Sequence, residues 1–185
     1  LELAATGDAD VRMTVMRTGT EANLGASQTI KYATAAATGA GETLATSGED
    51  FTAASGTLTF ASTTIAEALT ATETDITLAS FTDIAAGGGV VTIRDEDISY
   101  SSISGGALQG VVRGINGTTA TTHSSGDSAD VTGVYVDVVS THDTTSEIAE
   151  NFALTLNTAS AGTIADATGI GTIIDNDEST VQNGG

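Results

Sequence analysis

Val134-Tyr135-Val136-Asp137-Val138-Val139 places a valine at every second position. Successive side chains of an extended chain point to opposite faces, so this stretch reads as a strand with one buried face. Downstream, Phe152-Ala153-Leu154-Thr155-Leu156 and Gly169-Ile170-Gly171-Thr172-Ile173-Ile174 alternate in the same way. Upstream, so does Val11-Arg12-Met13-Thr14-Val15-Met16-Arg17, ended by Thr18-Gly19-Thr20. Gln28 to Thr34, centred on Ile30 and Tyr32, and Gly56-Thr57-Leu58-Thr59-Phe60 are two further strands. Between Phe60 and Val134 the strand patterns are Asp75-Ile76-Thr77-Leu78, Val90-Val91-Thr92-Ile93, Ile98-Ser99-Tyr100 and Leu108 to Val112, with a sharp turn at Gly87-Gly88-Gly89. Short strands at this spacing, separated by turn residues, predict an all-β sandwich rather than a helical or α/β fold.

Composition agrees with that reading. The 185 residues suffice for one large domain or two small ones. Aromatics are 4% of the chain and glycines number 22. Proline is absent, so Gly, Asn and Asp supply the turns. Cysteine is absent too, which removes disulfides, thiolate metal sites and a cysteine nucleophile. A chain outside the cell without disulfides needs another staple, and bound metal or assembly with neighbours are the usual ones. The net charge of −19, with five basic residues in all, excludes a nucleic-acid partner, whose phosphates demand Lys and Arg. Such acidity suits salty or divalent-rich surroundings, where counter-ions screen self-repulsion. No apolar run approaches the roughly 18–20 residues that span a bilayer, so direct membrane insertion is not expected. The chain begins at Leu1 rather than Met, as a processed or a trimmed N-terminus does.

Several segments, taken in order, resemble the Calx-beta family of Greek-key, immunoglobulin-like sandwiches. Val11-Arg12-Met13-Thr14-Val15-Met16-Arg17-Thr18-Gly19 is similar to its second strand. Gly48-Glu49-Asp50-Phe51 with Gly56-Thr57-Leu58-Thr59-Phe60 resembles its G-x-D-F … G-T-L-T-F signature. Asp143-Thr144-Thr145-Ser146-Glu147-Ile148-Ala149-Glu150-Asn151-Phe152 resembles D-x-x-x-E-x-x-E-x-F, and Ile173-Ile174-Asp175-Asn176-Asp177 resembles the closing I-x-D-N-D. The resemblance implies a discontinuous sandwich of residues 1–65 and 134–178, followed by a polar tail, 179–185.

The family passes from G-T-L-T-F to the next strand through a short turn, whereas here about seventy residues intervene. A structureless loop of that length is exceptional in a compact domain, so residues 66–133 are expected to fold as an inserted small β-domain. Val90-Val91-Thr92-Ile93 through Asp97-Ile98-Ser99-Tyr100, then Leu108-Gln109-Gly110-Val111-Val112-Arg113-Gly114, Asn116-Gly117-Thr118-Thr119-Ala120 and His123, resemble a small β-module of phage virion and tail proteins. That module has no single assigned activity and implies a particle or surface setting.

What the Calx-beta resemblance implies about chemistry is calcium. Hard divalent cations want several oxygen ligands at once, and carboxylates gathered on loops supply them. The ligand candidates carried over are Asp50, Asp143, Glu147, Asp175 and Asp177, with Glu2 a weaker sixth. Calcium-sensing members carry paired acids before the x-x-x-E stretch, but here His142 occupies the first of those positions. Glu150 is read as capping or orienting rather than binding. The competing reading is a solvated acidic rim; against it, five gathered carboxylates without a cation repel one another. Asp95-Glu96-Asp97 lies between two strands, so its members cannot all face one way. It is read as a solvated hairpin turn, the alternative being a second metal site. Without Cys partners or a His-x-x-x-His spacing, His123 and His142 do not make a zinc site.

Enzymatic readings fail on inventory. There is no Gly-x-Ser-x-Gly elbow, no Gly-Lys-Ser/Thr after the glycine triplet, and no Trp to hold a sugar. Asn116-Gly117-Thr118 is a formal glycosylation sequon that coincides with the insert's own turn motif. The sequence thus predicts a non-catalytic, extracellular or cell-surface structural or adhesive subunit, stabilised by calcium and forming a filament, sheath or adhesin. A phage virion decoration or tail protein is the alternative. Its partners are copies of itself or other surface or virion structural proteins. Only Leu1-Glu2-Leu3-Ala4 precedes the Gly7-Asp8 turn, and a short first strand leaves an edge that invites pairing from another chain.

Overall fold

The computed structural model describes residues 11–37, 43–141 and 148–174. In chain order the described strands are β1 (Val11–Met16), β2 (Gln28–Ala36), β3 (Ser55–Phe60), β4 (Ser62–Thr64), β5 (Gly89–Ile93) and β6 (Glu96–Tyr100). They continue with β7 (Ser102–Ser104), β8 (Ala107–Gln109), β9 (Val112–Ile115), β10 (Ser128–Val138), β11 (Glu150–Asn157) and β12 (Thr168–Ile173). Among the described residues one helix of a single turn, α1 (Glu21–Leu24), interrupts them. The protein is therefore all-β and its sheets are antiparallel.

One sheet runs β1-β10-β5-β6-β9, with β4 also on β10; the other runs β12-β11-β2-β3. A separate hairpin joins β7 to β8. The two large sheets close on one core. Val15, Val134, Val136 and Val138 come from the first, and Ile30, Leu58, Phe60, Phe152 and Leu154 from the second. Burying side chains of this size contributes roughly 1.5–3 kcal/mol each, which is what draws the two faces together.

Strand β10 shows how this sequence makes one sheet from two stretches. Its C-terminal half pairs with β1 from Val11↔Val138 to Met16↔Gly133, and its N-terminal half pairs with β4 and β5. Ala129 and Val131 face the core from odd positions, Val134, Val136 and Val138 from even ones. A bulge between Val131 and Gly133 takes up the difference. One extra residue restores an apolar inner face on both sides of it. Residues 66–133 thereby supply β5, β6 and β9 to the same sheet as β1, and the position between 133 and 134 falls within β10.

Two expected strands take a different form. Asp75-Ile76-Thr77-Leu78 makes only the single bridges Ile76↔Leu108 and Ile65↔Leu78, although Ile76 and Leu78 are buried. Leu108 to Val112 breaks into β8 and β9 at Gly110, whose φ is +62°. A Cβ there would collide with the Ser101 hydroxyl, so the chain turns where alternation alone reads straight on.

Candidate functional site

The sequence places its metal ligands on three loops, and the structure describes the first of them and the flanks of the others. Asp50 lies in the turn 46–50, where its Oδ2 accepts a hydrogen bond from the Thr46 N–H. The Asp50 N–H in turn donates to the Thr46 carbonyl at 2.9 Å. Oδ1 has no hydrogen-bond partner among the described residues. Directly behind the turn Phe51 is 1% exposed and stacks on Phe152, ring centroids 5.1 Å apart, which fixes the turn to the core. Asp143, Glu147, Asp175, Asp177, Glu2 and His142 lie outside the described residues.

Their flanks are tied to one another. Thr141 N–H donates to the Asp50 carbonyl at 2.8 Å, and Thr52 N–H to Val139 at 2.9 Å. Asn151 N–H donates to Thr43 at 2.9 Å, and Ala45 N–H returns a bond to Asn151 at 3.0 Å. Glu150 sits opposite Ile173 in the β11–β12 ladder. The Asp50 turn, the entry to residues 142–147, their exit and the end of β12 thus share one rim of the two sheets. Among the described residues no three His, Asp or Glu side chains are grouped to hold a metal ion.

A buried cluster of charges lies elsewhere, and sequence reading missed it. Period two along β6 puts Glu96, Ile98 and Tyr100 on the core face and Asp97 on the other. Glu96 is accordingly 1% exposed. The reading of Asp95-Glu96-Asp97 as a solvated turn holds for exposed Asp95 and fails for Glu96. Arg113 on β9 grips Glu96 with two bonds, Nε to Oε1 at 2.6 Å and Nη2 to Oε2 at 2.8 Å. Gly114 N–H donates to Oε1 at 3.1 Å and Thr121 N–H to Oε2 at 3.0 Å. His123 Nε2 stands 2.8 Å from Oε2. Arg113 also donates from Nη1 to the Thr70 carbonyl and from Nη2 to the Thr121 carbonyl, 2.7 Å each.

Burial pushes the Glu96 carboxyl up, but the bonds from Arg113, the Thr121 N–H and His123, with the charge of Arg113, pull it down further, to about 2. At neutral pH Glu96 is ionised, so the proton on His123 Nε2 points at it. Nδ1 is buried without a partner among the described residues. Both carboxylate oxygens are engaged by protein donors, which leaves nothing for a metal, a proton transfer or a nucleophilic attack. The cluster is a structural clamp on four segments: β6, β9, the 70 region and residues 121–123, where His123 bridges to Leu69. The second-metal alternative for the acidic triplet therefore loses its central ligand.

Around the clamp the neighbouring polar groups are also satisfied. Asp97, on the outer face, accepts from Thr92 Oγ1 at 2.7 Å and Asn116 Nδ2 at 3.0 Å. Thr118 Oγ1 accepts from the Asp97 N–H at 3.0 Å and donates to Ile115 O at 2.8 Å. Both polar side chains of the Asn116-Gly117-Thr118 sequon are thus engaged in the turn itself. Gly114, at φ +65°, brings its N–H to Glu96, and a Cβ there would stand 2.8 Å from the Ala120 nitrogen. Gly114→Ala is expected to cost about 1–3 kcal/mol, read as a lower urea midpoint with unchanged slope. A midpoint equal to the wild type would show that the 114–120 turn relaxes freely.

A half-buried cation, Arg17, braces the first sheet. Arg17 donates to the carbonyls of Leu24 at 3.0 Å, Ala26 at 2.9 Å and Val131 at 3.1 Å, and its guanidinium lies 5.4 Å over the Phe60 ring. It thereby ties α1 to β10.

No family model matches the chain, and neither a curated protein nor a solved structure matches it. Among the described residues no helix is long and apolar enough to cross a membrane. Fold and site together define an all-β protein whose described charge clusters hold its structure together.

Proposed function

We infer that this chain is a non-catalytic, extracellular structural or adhesive subunit, stabilised by calcium and assembling with copies of itself into a surface filament, sheath or adhesin. The observation that carries the reading is the shared rim. The Asp50 turn, the two flanks of residues 142–147 and the end of β12 are tied by backbone bonds, and the four remaining candidate ligands follow or precede those residues within a few positions. Carboxylates delivered by separate loops to one rim suit a hard divalent cation, which takes six to eight oxygens. The Greek-key arrangement, and residues 66–133 as an insert that continues the β1 sheet, belong to this proposal. So does the absence of catalysis. The net charge of −19 supports partners other than nucleic acid.

A virion decoration or tail component is the second reading. It is favoured by the meeting of Glu96, Arg113, Gly114 and His123, four of the positions within the stretch that resembles the phage module. Electron microscopy of the purified chain should reveal ordered polymers in calcium that disperse in chelator. Single molecules under both conditions would overturn the filament reading. Immunogold labelling of native material separates the alternatives, by gold on cell surfaces or on phage particles.

A further inference from the structure

Strand β3 ends the second sheet, beside β2. The Thr34 N–H donates to the Ala54 carbonyl at 2.8 Å, whereas Thr29 turns its own N–H and carbonyl the other way, to Ser160. Backbone groups alternate along an antiparallel ladder. Gly56, Leu58 and Phe60 therefore bond β2, and Ser55, Thr57 and Thr59 point their N–H and carbonyl groups outward. Among the described residues no backbone bond takes up these outward groups. The stretches that flank β3, residues 52–54 and 61–65, are both described. Ser55, Gly56 and Thr57 are exposed.

Sheet edges are ordinarily blunted by charges, proline, a bulge or a covering segment. The first three are missing from β3. No charged residue and no proline occurs from Phe51 to Ala66, and the β2–β3 register runs unbroken from Gln28↔Phe60 to Ala33↔Ser55. The neighbouring β2 adds Lys31 and no acid. Two copies of a chain of −19 repel over most of their surfaces, and this acid-free pair of strands offers an approach without that cost. The outward groups are also self-complementary. Ser55 and Thr59 lie two residues on either side of Thr57. A two-fold axis at Thr57 therefore sets it opposite Thr57 of a second copy, and Ser55 opposite Thr59 of that copy. Every outward N–H then meets a carbonyl.

We propose that β3 pairs antiparallel with β3 of a second copy of the chain about that axis, joining their two four-stranded sheets into one continuous sheet. This rests on the self-assembly reading above and names the surface that begins it. Main-chain hydrogen bonds along the edge supply affinity, and the symmetric spacing about Thr57 fixes the register.

The test compares light-scattering mass against protein concentration for the wild type, Thr57→Glu, Thr57→Lys and an equal mixture of the two variants. Lys31 lies directly opposite Thr57 on β2, so the glutamate gains an opposite charge within its own chain and meets a like charge across the axis. The wild type is expected to rise from the monomer to at least the dimer mass as concentration increases. Each variant alone, folded by its circular dichroism, is expected to need at least tenfold more protein, and the mixture is expected to recover the wild-type curve. If Thr57→Glu fails to fold, Ser55→Glu combined with Thr59→Glu serves with the same expectation, because the axis sets those two positions opposite one another. Variants that assemble as readily as the wild type overturn the β3 pairing and leave self-assembly standing. A mixture no better than its components overturns the two-fold register. A wild type that stays monomeric throughout overturns both the pairing and the self-assembly reading.

Discussion

Glu96→Ala is expected to lower stability by about 4 kcal/mol, a fall of roughly 10 °C in the thermal midpoint of a chain this size. The loss arises from what is left behind rather than from the ion pair itself. Arg113 is 6% exposed at its side chain and would keep its charge with no anion beside it. The N–H groups of Gly114 and Thr121 would lose their acceptor in the same step. Arg113→Met should be costly for the complementary reason, and the double variant should cost much less than the sum of the two. Additive losses would show that the two side chains do not act as a unit.

The same carboxylate gives the protein an acid limit. Its folded value of about 2 lies below the ordinary 4.5, so its contribution is fully present above 4.5 and is lost as pH falls through about 2. The Asp127 carboxyl is held down in the same sense, to about 2, chiefly by its bond from Arg94. Stability should therefore decline across that window, and Glu96→Gln should flatten the decline while lowering the plateau. A Glu96→Gln profile parallel to the wild type would place the acid sensitivity elsewhere.

Phe152→Ala carries the second large effect, about 3–5 kcal/mol. Phe152 is fully buried, Phe51 packs 5.1 Å from it, and a Cβ on Gly171 would collide with its ring. The glycine on β12 and the two rings form one fitted unit. Truncation leaves a cavity beneath the Asp50 turn, so protection of the Thr52 and Asn151 amides against hydrogen exchange should fall with global stability. A loss below about 1 kcal/mol would mean that β12 collapses onto the vacated space.

Most strands were legible because one face of each is buried, and burial imposes period two. Val11–Met16, Ser55–Phe60 and Glu150–Asn157 lie where alternation placed them, within a residue or two. The start of β10 was not legible at all. The bulge at Val131–Gly133 shifts the phase by one, so the pattern ending at Val131 and the one beginning at Val134 read as separate. The helix Glu21–Leu24 is a single turn, too short for any periodicity. Glu96 was misread for a different reason. A carboxylate between two other acids carries no local sign of burial, since its partners Arg113 and His123 stand 17 and 27 residues away. The signal was present in the spacing, because Glu96 shares its parity with Ile98 and Tyr100. Of the five candidate ligands only Asp50 lies among the described residues, in a turn whose carboxylate caps its own backbone.

The proposed calcium at the shared rim is open to a direct check, the thermal midpoint in calcium against chelator. Binding to the folded state alone raises stability by RT ln(1 + [L]/Kd), about 2.7 kcal/mol at a hundredfold excess over Kd. The wild type should gain at least 5 °C with calcium, and Asp175→Ala combined with Asp177→Ala should gain nothing while matching the wild type in chelator. A wild-type midpoint that is the same in calcium and in chelator would contradict the claim.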